Sequence, residues 1–173
     1  ILPRATAQEV LRLASDMDGT MRINASETQI SFTGEDFEVV SRLVDGRYPD
    51  YKRVIPEKCA STATVSKTDL EQNIRMASVF SSSIADLKLS VEAGTLHVMA
   101  KNSERGELAS HCAAGLAGDP FDIAVNYRYL LDGIKVIDAQ KITLGFSGAG
   151  SPLVLRGEGI DNHVYVIMPL RTS

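Results

Sequence analysis

A pattern of one amphipathic helix followed by three strands occurs three times along this 173-residue chain, at intervals of about 60 residues. Of all the sequence features, this repeat constrains the fold most, because a fixed period indicates one supersecondary block that packs against its neighbours. A strand also precedes the second and third helices. We therefore predict an α+β fold of repeated β-α-β-β-β blocks, with the helices on one side and antiparallel sheets outside.

The first copy begins with a helix predicted over residues 7–15. Thr6 and Glu9 have the spacing of a capping box, in which each side chain bonds the other residue's backbone N–H. The apolar stripe of this helix has the spacing i, i+3, i+4, i+7 and consists of Ala7, Val10, Leu11 and Ala14. Alternating polar and apolar residues predict strands over residues 21–25, 29–33 and 37–44.

The second and third copies repeat this order. In the second, a strand ends at Val65, and Ser66 or Thr68 caps a helix that continues to about Phe80. Strands are predicted over residues 86–91, 95–101 and 107–113. In the third, a strand over residues 121–125 leads to Asn126 as the cap of a helix, and strands follow over residues 141–146, 153–156 and 164–168.

Two blocks should pair into one domain, so residues 57–173 are predicted to form a complete domain of two blocks. Residues 1–50 then form a single block without a mate, and residues 51–56 connect the two parts. An unpaired sheet edge invites pairing with another chain. We therefore expect the block at residues 1–50 to make contacts with other molecules.

Composition narrows the function classes. The net charge is −4, which argues against an ordinary nucleic-acid binder that wraps its ligand but does not exclude a basic face on an acidic body. No apolar run approaches the roughly 20 residues of a membrane span, so no membrane association is expected. The chain starts at Ile1 and lacks an initial Met, which suggests a piece of something longer.

Sites for metals and cofactors are not apparent in the sequence. Cys59 and Cys112 form no CxxC motif, so we expect free thiols in a reducing compartment such as the cytoplasm. His97, His111 and His163 lie far apart and show no metal-ligand spacing. We expect no metal and no cofactor.

An enzymatic function is the first hypothesis, but its candidate residues are weak. Asp16 and Asp18 lie in a short polar loop, and the glycine-rich stretch at residues 157–159 lacks the lysine and helix of a phosphate loop. No histidine is near a plausible nucleophile in sequence. We expect no intrinsic catalysis and no catalytic residue.

The segment at residues 39–56 begins as an apolar strand, turns at Asp45-Gly46, and continues with two prolines, two tyrosines and two apolar residues. Prolines favour extended structure in the residues before them, so a stiff connector is one interpretation. The other is a connector that forms one wall of a binding groove, since ligand sites favour domain boundaries.

This segment and residues 165–171 resemble the bacterial replicative sliding clamp, the beta subunit of DNA polymerase III, and the similarity extends over essentially the whole chain. The resemblance implies a C-terminal fragment. Residues 1–50 would be the C-terminal half of the second clamp domain, residues 51–56 the connector and residues 57–173 the complete third domain. The first domain and about half of the second would precede Ile1.

The resemblance also implies a function in DNA replication. The intact protein would be a homodimeric ring that encircles duplex DNA independently of sequence and gives a DNA-directed DNA polymerase its processivity. The nucleotidyltransferase and 3'-5' exonuclease activities of the holoenzyme would belong to other subunits. DNA polymerase subunits, the clamp loader and repair proteins would bind through a short linear motif.

The positions that match the family's peptide-binding pocket lie in the connector, at the start of the third helix and at the chain end. They are Pro49, Arg53, Val54, Asn126, Tyr129, Val166, Ile167, Met168, Pro169, Leu170 and Arg171. Apolar side chains would form the walls, methionine would adapt to different partners, and the polar groups would hold the peptide. Leu170 and the tail Thr172-Ser173 depart from the family pattern.

Each helix also carries basic residues away from its apolar stripe, namely Arg4, Arg12, Lys67, Arg75, Arg128 and Lys135. These are either ordinary solvated residues or one weakly basic DNA-facing surface, and the resemblance favours the surface. Val79, Phe80 and Glu107 match positions of the family's dimer interface, although the acidic edge near Glu107 is diluted. The alternative function is an adaptor of the same fold that binds peptides and forms no ring.

Overall fold

The computed structural model describes residues 1–171, so the predicted departure at Thr172-Ser173 lies outside the described residues. The chain divides into two compact units, Ile1–Asp50 and the part that begins at Tyr51.

The first unit consists of helix α1 (Arg4–Ser15) and an antiparallel sheet of strands β1 (Arg22–Ala25), β2 (Gln29–Thr33) and β3 (Glu38–Arg42), in that order. The helix begins three residues earlier than predicted. Pro3 is its N-cap residue, with a φ of −61° that suits the start of a helix.

The predicted capping box is therefore wrong, because Thr6 and Glu9 lie inside the helix and no side chain caps its N-terminus. The hydroxyl groups of Thr6 and Ser41 instead share a hydrogen bond of 2.8 Å, which ties the helix to β3. Glu9 accepts a hydrogen bond of 2.6 Å from Arg12.

The first unit buries little apolar surface. Val10 and Phe32 are its only buried hydrophobic side chains, at 8% and 5% exposed. The predicted helix stripe splits, because Val10 is buried whereas Ala7 is exposed and Leu11 is 71% exposed. Ile23, which lies opposite Phe32 in the sheet, is also 55% exposed. So few buried side chains contribute little to the stability of a block of about 50 residues.

The second unit contains two complete blocks. After a short 3₁₀ turn at Tyr51–Arg53, the first block has β4 (Ser61–Ser66), α2 (Lys67–Ser78), β5 (Asp86–Glu92), β6 (Thr95–Asn102) and β7 (Gly106–Ala117). The second block has β8 (Phe121–Asn126), α3 (Tyr127–Val136), β9 (Lys141–Phe146), β10 (Leu153–Gly157) and β11 (Tyr165–Ile167). The predicted repeat is thus confirmed in this unit.

The two blocks of the second unit interlock through their first strands. All strands are antiparallel, in the order β11-β10-β9-β4-β7-β6-β5-β8. Strand β4 pairs with β7 of its own block and with β9 of the next, and β8 pairs with β5 of the preceding block. At the chain end, the backbone N–H of Leu170 donates to the carbonyl of Ala124 in β8 over 2.8 Å, so the tail lies beside the opposite edge of the sheet.

The core of this unit lies between the sheet and the two helices. Inward-facing residues alternate along the strands, as in Leu87, Leu89 and Val91 of β5. The helices add fully buried side chains at equivalent positions, four residues apart: Leu70 and Ile74 in α2, Leu130 and Ile134 in α3. The same positions in α1 are occupied by Ala7 and Leu11, which are exposed.

The predicted helix caps of the second unit are confirmed. The Ser66 hydroxyl accepts from the backbone N–H of Asp69 over 3.4 Å, and the Asn126 side-chain oxygen accepts from that of Arg128 over 2.9 Å. Each cap satisfies one of the N–H groups that a helix leaves unpaired at its start.

Candidate functional site

The predicted peptide-contact residues of the second unit include the first turn of α3 and the chain end. Asn126 fixes the start of α3, because its oxygen caps the helix and its Nδ2 donates to the carbonyl of Ile84 over 3.1 Å. Its side chain therefore already has structural partners. Tyr129, the third residue of the helix, is 58% exposed.

Tyr165, the first residue of strand β11, packs its ring against α3. An ideal Cβ placed on Gly133 would lie only 2.5 Å from the Tyr165 ring, so the missing side chain of Gly133 leaves room for this ring. Partial burial raises the pKa of the Tyr165 hydroxyl, and the nearby charges of Asp132 and Tyr129 raise it further. Sequence reasoning missed Tyr165; the glycine inside a predicted helix was the available signal.

The chain end presents its residues alternately to the two sides. Val166 pairs with Val154 and is half-buried, whereas Ile167 is 2% exposed and belongs to the core. The predicted contact between the Ile167 side chain and a peptide therefore does not fit its buried position. Met168, the next residue, is 59% exposed.

The remaining tail residues differ in exposure. Pro169 and Leu170 are half-buried and Arg171 is exposed. The hydrogen bond between Leu170 and Ala124 fixes the backbone two residues beyond Met168. The exposed Met168 side chain is thus carried by an anchored backbone, which suits contact with a ligand.

The prolines of the connector predict extended structure, but part of the connector forms a turn instead. The backbone N–H groups of Val54 and Ile55 both donate to the carbonyl of Tyr51, which forms the short 3₁₀ turn. Val54 is 43% exposed. Arg53 is exposed in the same turn, and Pro49 is exposed in the first unit.

The predicted DNA-facing residues differ in what they contact. Arg12 and Arg75 form ion pairs of 2.6 Å with Glu9 and Glu71 of their own helices. The Lys67 ammonium group donates to the carbonyl of Ile137, so it helps to end α3 and is less available to a ligand.

The other predicted basic residues are exposed. Arg4 lies in the first turn of α1, and the Arg128 guanidinium lies 5.9 Å from the centre of the Tyr127 ring. Lys135 occupies the same position of the repeat as Arg12 and Arg75, and all three are exposed. Each helix therefore exposes one basic residue at this repeated position, and Glu9 and Glu71 pair with two of the three.

Val79 and Phe80, the predicted apolar dimer contacts, follow α2. Val79 is 60% exposed, whereas the Phe80 ring packs against the core close to Gly106. Ile84 in the same loop is 61% exposed; sequence reasoning missed it, although an isoleucine after three serines was a usable signal.

Strand β7 leaves one edge open next to this loop. Strand β4 pairs only with residues 114–117, so β6 is the only strand partner of residues 106–113 in the described chain. Glu107 in this stretch is exposed and forms an ion pair of 3.3 Å with Lys101. An open strand edge beside exposed apolar residues can accept another chain.

Within residues 1–171, no cluster of three or more His, Cys, Asp or Glu side chains is placed to hold a metal ion. No helix in this part of the chain is long and apolar enough to cross a membrane.

Comparison with known proteins gave consistent matches. Residues 52–171 match the family described as DNA polymerase III beta subunit, C-terminal domain, and residues 1–50 match the central domain of the same subunit. The Beta sliding clamp of Pseudomonas putida is 30% identical over 99% of this chain and 47% of its own length.

Solved structures of sliding clamps are also similar to this chain. The Caulobacter crescentus pol III beta has a TM-score of 0.89 at 29% identity, covering 99% of this chain and 47% of its own. The sliding clamp of Bartonella birtlesii bound to griselimycin has a TM-score of 0.88 at 32% identity, with coverages of 99% and 47%. The chain thus spans about half the length of the relatives that it matches.

Proposed function

Because the chain belongs to the DNA polymerase III beta subunit family, we propose that it is the C-terminal half of a sliding clamp. In this proposal residues 1–50 are the C-terminal half of the central domain, residues 51–56 the connector and residues 57–173 the C-terminal domain. The longer protein encircles duplex DNA as a homodimeric ring in the cytoplasm.

The clamp acts by tethering and has no catalytic chemistry of its own. A polymerase bound to a ring on DNA stays near the primer end after it dissociates from that end, so its effective concentration there remains high. Processivity follows from this tether. The polymerase, the clamp loader and repair proteins compete for the same peptide-binding surface.

The observation that carries the peptide-binding part is the anchored chain end. Met168 and Tyr129 are both more than half exposed, while Ile167 on one side of Met168 and the Leu170 backbone on the other are fixed. Clamps from Bartonella birtlesii and Pseudomonas aeruginosa bind griselimycin. We propose that this chain binds short apolar peptides through Met168, Tyr129, Val54 and Val166.

The DNA-facing part rests on Arg12, Arg75 and Lys135, which repeat at one helix position and are exposed. Sliding requires attraction to phosphates without reading of the bases. Partial neutralisation by Glu9 and Glu71 keeps this attraction weak.

In the ring, Val79, Ile84 and the open edge of β7 contact the partner protomer.

Fluorescence anisotropy with labelled duplex DNA at low salt tests this function. We expect weak binding that is independent of sequence, decreases as salt rises, and weakens in the double variant Arg75→Glu/Lys135→Glu. The double variant Lys88→Glu/Lys101→Glu is the matched control, because it makes the same charge change at two exposed lysines on the outer face of the sheet. Equal loss in both proteins, or no DNA binding, would favour the adaptor that binds peptides without encircling DNA.

A further inference from the structure

Two of the three histidines form a cross-strand pair on the outer face of the sheet. In the register of β6 and β7, His97 lies directly opposite His111. Their ring centroids are 6.1 Å apart and the ring planes are inclined by 43°. The pair could not be predicted from the sequence, because only the strand register brings the two positions together.

Both rings are accessible. The His97 side chain is 37% exposed and His111 is exposed, whereas Leu96 and Val98, which flank His97, point inward and are fully buried. The two imidazoles are therefore held on a rigid strand pair but face solvent. An ion could reach them without any opening of the core.

The spacing of the rings suits a shared metal ion. Residues directly opposite in an antiparallel pair have Cβ atoms about 4.5–5.5 Å apart. With Zn–N bonds of about 2.1 Å, two imidazoles on one tetrahedral ion have ring centroids about 5 Å apart. Small side-chain rotations would bring the rings from 6.1 Å to that separation.

The surroundings favour a cation. Glu92 Oε1 lies 3.8 Å from His97 Nε2, so a negative charge stands next to the pair and attracts a cation. The neighbours of the pair on this face are uncharged: Ser90 opposite His97, Thr95 and Met99 on either side of His97, and Ala109 and Ala113 on either side of His111. Lys88, farther along β5, is already paired with Asp122 at 3.1 Å.

We propose that His97 and His111 bind one divalent transition-metal ion of the Zn²⁺, Ni²⁺ or Cu²⁺ class, with water completing its coordination. Imidazole nitrogen is a preferred ligand for all three ions. The ion would join β6 to β7, the strand with the open edge. Two protein nitrogens and one nearby carboxylate imply a modest affinity, so the site would respond to the available metal concentration.

Isothermal titration of the untagged chain with ZnCl₂ and NiCl₂ tests this proposal. We expect one ion per chain, with affinity lowered at least about tenfold in His97→Gln and in His111→Gln, since even changes outside the ligand set cost that much. Glu92→Gln should have a smaller effect. His163→Gln is the matched control, because it removes the third histidine and leaves the pair intact.

Two further readouts separate ligand loss from misfolding. Without metal, the His97→Gln and His111→Gln variants should unfold at the temperature of the original protein, because both side chains face solvent. Added Zn²⁺ should raise the unfolding temperature of the original protein and of His163→Gln only.

Absence of saturable binding up to millimolar metal would overturn the proposal. So would an affinity that is unchanged in the His97→Gln/His111→Gln double variant, because the ion would then be bound elsewhere, for example by the thiols of Cys59 and Cys112.

Discussion

Gly133 should not tolerate even a methyl group, although alanine is the better helix former. In α3 an ideal Cβ at this position lies 2.5 Å from Cδ1 and 2.8 Å from Cε1 of Tyr165. Replacing glycine by alanine in a helix stabilises by about 1 kcal/mol, whereas overpacking a filled site costs about 1–3 kcal/mol. The expected net effect of Gly133→Ala is therefore a loss of up to about 2 kcal/mol in the free energy of unfolding.

A double-mutant cycle with Tyr165→Ala isolates the cause. Once the ring is removed, the added methyl group meets no obstacle, so Gly133→Ala should stabilise the Tyr165→Ala protein by up to about 1 kcal/mol. The coupling between the two sites should then be about 1–3 kcal/mol. Urea unfolding followed by far-UV circular dichroism measures all four proteins. The same effect of Gly133→Ala in both backgrounds would refute the assignment of the glycine to the Tyr165 ring.

Two further predictions concern stability. Ile74→Ala should lower the free energy of unfolding by about 2–5 kcal/mol, because it empties a fully buried site. Leu11→Ala, at the equivalent but exposed position of α1, should change it by at most about 0.5 kcal/mol. Urea unfolding, with sedimentation in parallel, measures both; a large loss for Leu11→Ala would show that this face is covered in solution. The second prediction concerns the pKa of Asp86, which is lower than usual. Burial raises this pKa, but hydrogen bonds from the Ser82 hydroxyl and backbone N–H lower it by more. The stabilisation by Asp86 should therefore be complete above its unfolded-state pKa of about 4 and lost as the pH falls through the lower folded value. The stability difference from Asp86→Asn, followed by thermal unfolding, should stay constant between about pH 7 and 5 and shrink below about pH 4; a constant difference down to about pH 2 would contradict it.

Features set by neighbouring residues could be predicted from the sequence. The caps Ser66 and Asn126 bond backbone groups two or three residues away, so the local pattern determines them. The alternation of the strands and the buried stripes of α2 and α3 follow from periods of two and of three to four residues. The α+β repeat was predictable for the same reason.

Features that depend on distant partners could not be predicted. The pairing of β4 with β9 joins residues about 80 positions apart, and no local pattern encodes it. Leu11 has the helical spacing of a core residue, but its burial depends on a covering partner. Ile167 matches a family contact position, yet only the register of β11 with β10 shows that it faces the core.

The central claim, that the anchored chain end binds peptides, is tested most directly by fluorescence polarisation. The probe is a labelled peptide of the form Gln-x-x-Leu-x-Leu-Phe, titrated with the chain, with Met168→Ala, and with Met76→Ala as the matched control. Met76 is a methionine of α2 that is 43% exposed and lies away from the chain end in sequence. We predict saturable binding that Met76→Ala leaves unchanged and Met168→Ala weakens at least about tenfold, as expected for a central apolar contact. Equal affinity of the original chain and Met168→Ala would contradict the account.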